Sequence, residues 1–321
     1  MALSMIRLFL LLALVALPHQ GIAQSYPIKP LRMIVPMPPG GSTDIQGRWA
    51  AQHISTALGQ PVIVDNRPGA GGVPGTDTAA KAAPDGYTLL AGNAGPLTVS
   101  PSIVAKMPYD TLRDLAPISL LAKTALCLCT YSGIPAKNLQ EFVSLAKARD
   151  GKINYGTPGV GTIGHLGIED LSARAGIKLT HVPYKGAAQY MIDLVNGTLD
   201  VALTTPPVAL VKSGKVRVVG ITTLKRHPLL PEAPTIAEQG LKDYESVLWN
   251  GILAPAGTPR AVVIRIHDVL AKALATPEAR KSFLGRGDDP SGLGPEEFGV
   301  FLKAEVEKFE QVARASGIPK M

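Results

Sequence analysis

Cysteine is scarce in this chain of 321 residues: there are two, Cys127 and Cys129, and aromatic side chains make up only 5%. The two cysteines fall in Thr124-Ala-Leu-Cys-Leu-Cys-Thr130, which reads as a strand. Side chains two apart on a strand share a face, but their Cβ atoms stand too far apart for good disulfide geometry. Two buried free thiols are therefore expected, with no partners at metal-ligand spacing. Past the N-terminal leader the histidines are His53, His165, His181, His227 and His267, and no H-x-x-x-H pair occurs, so zinc has no support. A G-x-S-x-G elbow is missing. Ser144-Leu-Ala-Lys147 has S-x-x-K spacing but lies inside an amphipathic helical pattern. Lysine and arginine outnumber the acids 32 to 25, giving a net charge of +7, yet they are scattered, the densest group being Lys225-Arg226-His227. Nucleic-acid binding calls for a clustered basic stripe with interleaved aromatics, and no nucleic-acid partner is expected.

Long apolar runs are also missing after the first residues. The chain opens MALSMIRLFLLLALVALPHQGIAQS: Arg7, then apolar residues from Leu8 to Leu17, then Gly21-Ile22-Ala23. This is the pattern of a secretory signal peptide over residues 1–23, with an apolar core too short for a permanent span. No cysteine follows it for a lipid anchor. The expected mature protein lies beyond the inner membrane, and its length suggests about two domains on the usual prior of ~150 residues each.

What is present is a strand–helix alternation. Leu31–Val35 is a strand; Ala50, Ile54, Ala57 and Leu58 mark one face of a helix; Pro61–Asp65 and Tyr87–Ala91 are further strands. The middle repeats the pattern with the strand Leu126–Thr130, a helix over Leu139–Arg149, the strand Ile153–Tyr155, a helix from about Thr162, the strand Leu179–Val182 and a helix over Ala188–Asn196. The strands Val201–Leu203 and Val216–Thr222 follow. Near the C-terminus Val263, Ile266, Leu270 and Leu274 fit one helix, and Phe298, Phe301, Leu302, Val306, Phe309 and Val312 another. The alternation argues for α/β layers with mostly parallel strands. In such sheets ligands bind beyond the carboxyl ends of strands, where loops enter helix N-termini.

Four loops stand at such positions. In Val35-Pro-Met-Pro-Pro-Gly-Gly-Ser-Thr-Asp44, Pro38 and Pro39 stiffen the strand exit and Gly40 and Gly41 allow close backbone approach. Thr43-x-x-Gln46 can form a capping box, and Asp44 suits the positive helix end. The residues fit both a rigid capped turn and a cradle of N–H groups for an anion. A second loop, Asn154–His165, contains Gly159-x-Gly161-x-x-Gly164. As a dinucleotide fingerprint it fails, because the next strand ends Leu179-Thr-His-Val-Pro-Tyr-Lys185 without the required acid. A P-loop fails too, for want of Gly-Lys-Ser/Thr, so no cofactor is expected. Gly92-Asn-Ala-Gly95 and Val182-Pro-Tyr-Lys-Gly186 are the third and fourth loops. His165, just inside a helix N-terminus, could cap it, line a cleft, or pair with Glu169 on the helix surface.

The segments "YPIKPLRMIVPMPPGGSTD", "LGQPVIVDNRPGAGGVPGT", "APDGYTLLAGN", "PYDTLRDLAPISL", "HVPYKGA", "LPEAPTIAEQG" and "LWNGILAPAGTP" occur in this order. Through them the chain resembles the Bug-type substrate-binding receptors of tripartite tricarboxylate transporters. The resemblance implies a type II periplasmic binding fold of two α/β lobes. Residues 24–125 plus 226–321 would form the first lobe and 126–225 the second, with Leu126–Thr130 and Val216–Thr222 crossing between them. It implies a periplasmic monomer that is no enzyme. Such a receptor captures a small organic acid or amino acid and delivers it to the permease subunits of the transporter. Pro39, Gly40, Gly41, Ser42, Thr43 and Asp44 become the carboxylate cradle of the first lobe, and Thr157, Gly159, Gly161 and Thr162 its counterpart. Asn93, Gly95, His165, Tyr184, Lys185, Gly186, Thr204 and Thr205 complete the implied wall. Many relatives carry an acid after the strand Val201–Leu203, where this chain has Thr204-Thr205-Pro206-Pro207, which puts an acidic contact there in doubt. The same cleft would serve a sensor docking on a membrane kinase, or an enzyme acting on a similar acid.

Overall fold

The computed structural model describes residues 26–184, 186–318 and 320. The leader expected at 1–23 and Lys185 lie outside them. Two sheets carry the structure. The first contains β1 (Leu31–Val35), β2 (Val62–Asn66), β3 (Thr88–Asn93), β4 (Leu115–Ala125), β10 (Val247–Pro255) and β11 (Asp288–Pro290), in the order β11-β4-β10-β3-β1-β2. The second contains β5 (Cys127–Tyr131), β6 (Asn154–Thr157), β7 (Thr180–Pro183), β8 (Val201–Thr204) and β9 (Val216–Ile221), ordered β7-β6-β8-β5-β9. Four helices matter for the site: α1 (Ser42–Leu58), α2 (Ile163–Ala175), α3 (Arg260–Leu274) and α4 (Pro295–Ala315). Among the described residues no helix is long and apolar enough to cross a membrane.

The elements follow from their apolar spacing. Leu31, Met33, Ile34 and Val35 of β1 are all buried, as befits a strand covered on both faces. Ala50 and Ile54 of α1 meet Val263, Ile266 and Leu270 of α3 over Met33 and Leu89. On α4, Phe298, Leu302, Phe309 and Val312 are buried, and Phe298 sets its ring edge-on to Trp249 of β10 at 5.7 Å. Cys127 and Cys129 are free and fully buried, with their sulfurs 3.1 Å apart. That is nearer than the extended strand spacing suggested. Burial pushes the Cys127 thiol well above its usual range.

Two expectations need correction. The sheets are mixed rather than mostly parallel. β1 runs parallel to β2 and β3, and β6 to β7 and β8, but β10 is antiparallel to β3 and β4, β11 to β4, and β5 to β8 and β9. The antiparallel strands are those by which the chain leaves one sheet and returns from the other, and a returning strand runs against its neighbours. Of these, β4 and β10 escaped the pattern reading because they are buried almost throughout and have no alternation. The lobe boundary at 225 also shifts. The Ile221 N–H donates to the Pro234 carbonyl at 2.9 Å and the Ile236 N–H to the Ile221 carbonyl at 2.8 Å. Gln239 donates to the Val219 carbonyl at 2.9 Å. Residues 234–239 thus lie on β9, and the chain rejoins the first sheet only at Val247.

The crossing itself is a knot of three segments. β4 becomes β5 through Leu126, while β9 and β10 approach through Thr222 and Ser246. The Thr222 hydroxyl accepts the Leu126 N–H at 3.0 Å and lies within donating reach of the Leu126 and Ser246 carbonyls. The Thr222 N–H donates to the Leu126 carbonyl at 2.9 Å and the Ser246 N–H to the Thr222 carbonyl at 3.1 Å. All three residues are buried, so water cannot substitute. Thr222→Val keeps the shape and strands the Leu126 N–H. It should cost about 1–3 kcal/mol in urea denaturation, with Thr222→Ser recovering most of it. A valine variant as stable as the parent would show that the hydroxyl does not hold the crossing.

Candidate ligand-binding site

At the end of β1 the chain turns through Pro36–Gly41 and enters α1. Only one glycine of the pair needs to be glycine for its backbone. Gly40 has φ +85°, whereas Gly41 is ordinary extended chain at φ −78°, ψ 167°. A Cβ on Gly41 would meet nothing nearer than the Pro38 carbonyl at 3.8 Å. The expected capping box does not form, because α1 starts two residues earlier than a Thr43 cap requires. Gly41 is the N-cap and offers no side chain, and Thr43 falls inside the first turn. Its hydroxyl donates to Asn250 Oδ1 at 2.7 Å, and Asn250 Nδ2 donates to Ser42 Oγ at 3.1 Å. The first-turn N–H groups are left without a side-chain cap, which is the arrangement that favours an anion.

These residues open onto a cavity of about 350 Å³ lined by Met37, Pro38, Pro39, Gly41, Ser42, Thr43, Asn93, Leu248, Trp249 and Asn250. No lining side chain is charged. Asn93 Oδ1 accepts the Gly95 N–H at 3.0 Å, while its buried Nδ2 has no partner among the described residues. Asp44, expected at the ligand, turns away instead. It is buried, and its carboxylate accepts the Gly40 N–H at 2.9 Å, Arg48 Nε at 3.0 Å and Asn66 Nδ2 at 2.8 Å. Burial opposes its ionisation, but those hydrogen bonds outweigh it and hold the carboxyl below its usual range. Asp44 therefore fixes the loop, and Arg48 offsets a charge that would otherwise repel an anion.

The second-lobe loop is wired differently. Thr157 Oγ1 lies 2.6 Å from His181 Nε2 and accepts the Gly159 N–H at 3.2 Å. The Gly161 N–H donates to His165 Nδ1 at 3.1 Å, and Thr162 caps α2 by accepting the His165 N–H at 3.4 Å. His165 is buried. It is not the surface partner of Glu169, which instead accepts the Tyr155 hydroxyl. Burial, then the neighbouring His181, lowers the His165 pKa to about 4; burial lowers that of His181 as well. Tyr184 donates its hydroxyl to Asp193 at 2.8 Å, and Gly186 caps the helix Ala187–Asn196. Thr204 is buried with its hydroxyl accepting that of Tyr190 at 3.0 Å, while Thr205 is exposed.

The two loops belong to different lobes, and only the first lines the cavity. The second lobe touches the first at Gly161, where an added Cβ would fall 1.9 Å from Ile103 Cδ1. Asn250 went unnoticed in the sequence because 207 residues separate it from Thr43. Its one signal was a place in the quoted segment "LWNGILAPAGTP".

Comparison with known proteins agrees with this architecture. The model of the tripartite tricarboxylate transporter family receptor matches residues 47–318. Protein BugT of Bordetella pertussis is 34% identical over 318 residues, covering 98% of this chain and 97% of its own. Among solved structures, a Rhodopseudomonas palustris protein with adipate superposes with a TM-score of 0.80 at 31% identity, covering 92% of this chain and 100% of its own. MatC from Rhodopseudomonas palustris, with bound malate, gives 0.75 at 28%, covering 89% and 99%. The periplasmic binding protein BugD gives 0.76 at 32%, covering 92% and 100%. The fold is the two-lobed type II periplasmic binding architecture, and the chain belongs to the receptor family of the tripartite tricarboxylate transporters, whose members are periplasmic solute-binding proteins.

Proposed function

We propose that this receptor captures a small carboxylate between its lobes and hands it to the permease subunits of a tripartite tricarboxylate-type transporter. The observation that carries the reading is the uncapped start of α1, opening onto an uncharged cavity of about 350 Å³. Backbone N–H groups, the helix dipole and the spare Asn93 amide supply donors for a carboxylate. Nothing in the lining supplies a full positive charge, which suits a site that must also let its ligand go. The malate and adipate held by relatives make these two acids the first to try. In this reading Pro39–Thr43 grip one carboxylate, Asp44 holds their loop, and the second lobe closes over the far side with Thr157–Thr162.

Gly41→Val tests the cradle. The structure leaves room for the side chain against its own fold, so the melting temperature without ligand should hardly move. Its branches would occupy the cavity in front of the helix terminus, and affinity by calorimetric titration should fall at least ~10-fold, about 1.4 kcal/mol. A folded variant with unaltered affinity would reduce the loop to a turn. Closure offers a second check, since the two loops can grip one small ligand only when the lobes approach. Small-angle scattering should show a smaller radius of gyration once a confirmed carboxylate is added; an unchanged radius would contradict capture by closing.

A further inference from the structure

Beneath the second-lobe loop lies a stack that simple capping does not require. His165 and His181 stand with ring centroids 4.1 Å apart and planes inclined by 19°, and Tyr155 stacks on His181 at 4.8 Å. Each imidazole meets a different part of the loop: His165 takes the Gly161 N–H and His181 meets the Thr157 hydroxyl. A backbone N–H can only donate, so His165 Nδ1 must carry a lone pair and its proton must sit on Nε2. A second proton would set two N–H groups face to face across 3.1 Å.

We propose that His165 and His181 are positioning residues for ligand capture, neutral imidazoles that hold Thr157–Thr162 in the shape that meets the ligand. The proposal rests on the cleft reading above. The pair sits beneath the loop rather than in front of it: His165 is 6% exposed and its Nδ1 is already spent on Gly161. Besides each other, the titratable group stacked on the pair is Tyr155 of β6, whose hydroxyl is committed to Glu169 of α2. From the first lobe the neighbour at Gly161 is the apolar Ile103. Among the described residues no carboxylate is hydrogen-bonded to either ring, so protonation works against the loop. The sign follows from a lowered histidine pKa: the arrangement is intact above the unfolded value near 6.5, and stability is lost as pH falls toward about 4.

Asparagine can place an oxygen near the Nδ1 position and does not titrate, whereas alanine removes the acceptor. Amide exchange and NMR titration of the protein without ligand read the wiring directly. In His165→Ala the protection of the Gly161 amide should fall at least ~10-fold at pH 7, and His165→Asn should restore most of it. The Gly161 amide of the parent should titrate with a midpoint of about 4, and in the asparagine variant that titration should vanish. Affinity for adipate and malate at pH 7 should fall about tenfold in His165→Ala and stay within about threefold in His165→Asn. Unchanged Gly161 protection in His165→Ala would overturn the positioning role whether or not either acid binds. So would loss of protection with undiminished affinity. If neither acid binds the parent protein, the choice of ligand fails, and the Gly161 measurements still decide the role of the histidines.

Discussion

A buried hydroxyl at the crossing of three chain segments is the constraint on which the two-lobed arrangement turns. The chain must pass between sheets at Leu126 and Thr222 and return at Ser246, and wherever it passes it interrupts the ladders that satisfy its backbone. Thr222 meets that interruption by bonding both neighbouring segments through its hydroxyl and its peptide group. The strands on either side can then end cleanly, β4 in one sheet and β5 in the other. In the closing proposed above, a hinge built this way would concentrate the bend in few residues, and the loops beyond the strand ends would move with their lobes as bodies.

Both loops solve one problem by opposite means. In the function proposed above an anion is held without a cation, so N–H donors must be left free where it sits and satisfied everywhere else. In the first lobe a carboxylate, Asp44, takes up the spare Gly40 N–H and is itself neutralised by Arg48 behind the loop. In the second lobe neutral imidazoles do that work from beneath. In the first lobe this keeps net charge out of the cavity lining. The positive helix end is then the main electrostatic feature that a carboxylate would encounter there.

Much of this was legible in the sequence. The helices over Leu139–Arg149 and 295–315 follow from apolar spacing, and the glycine-rich strand ends mark the loops correctly. What could not be seen divides by physical cause. β4 and β10 are buried on both faces, so no periodicity betrayed them, and without them the sheets looked parallel. Gly40 and Gly41 read alike in the sequence, but a positive φ is visible only in the backbone, and there it belongs to Gly40. Asn250 and His181 act across long sequence separations, where spacing carries no information. The small polar residues of the second lobe divide between core and surface, Thr204 inside and Thr205 outside, and composition gives no means of telling them apart.

Gly161 and Ile103 meet with no room for a side chain between them. With only a hydrogen on the Cα, the second-lobe loop comes to rest against Ile103; one added carbon would lie 1.9 Å from that side chain. Because φ at Gly161 is +73°, a larger residue would also strain the turn. A methyl group there would act as a spacer, wedging the jaws ajar unless Ile103 gave way. The spacing of the two lobes at this point is therefore gauged by the smallest side chain available.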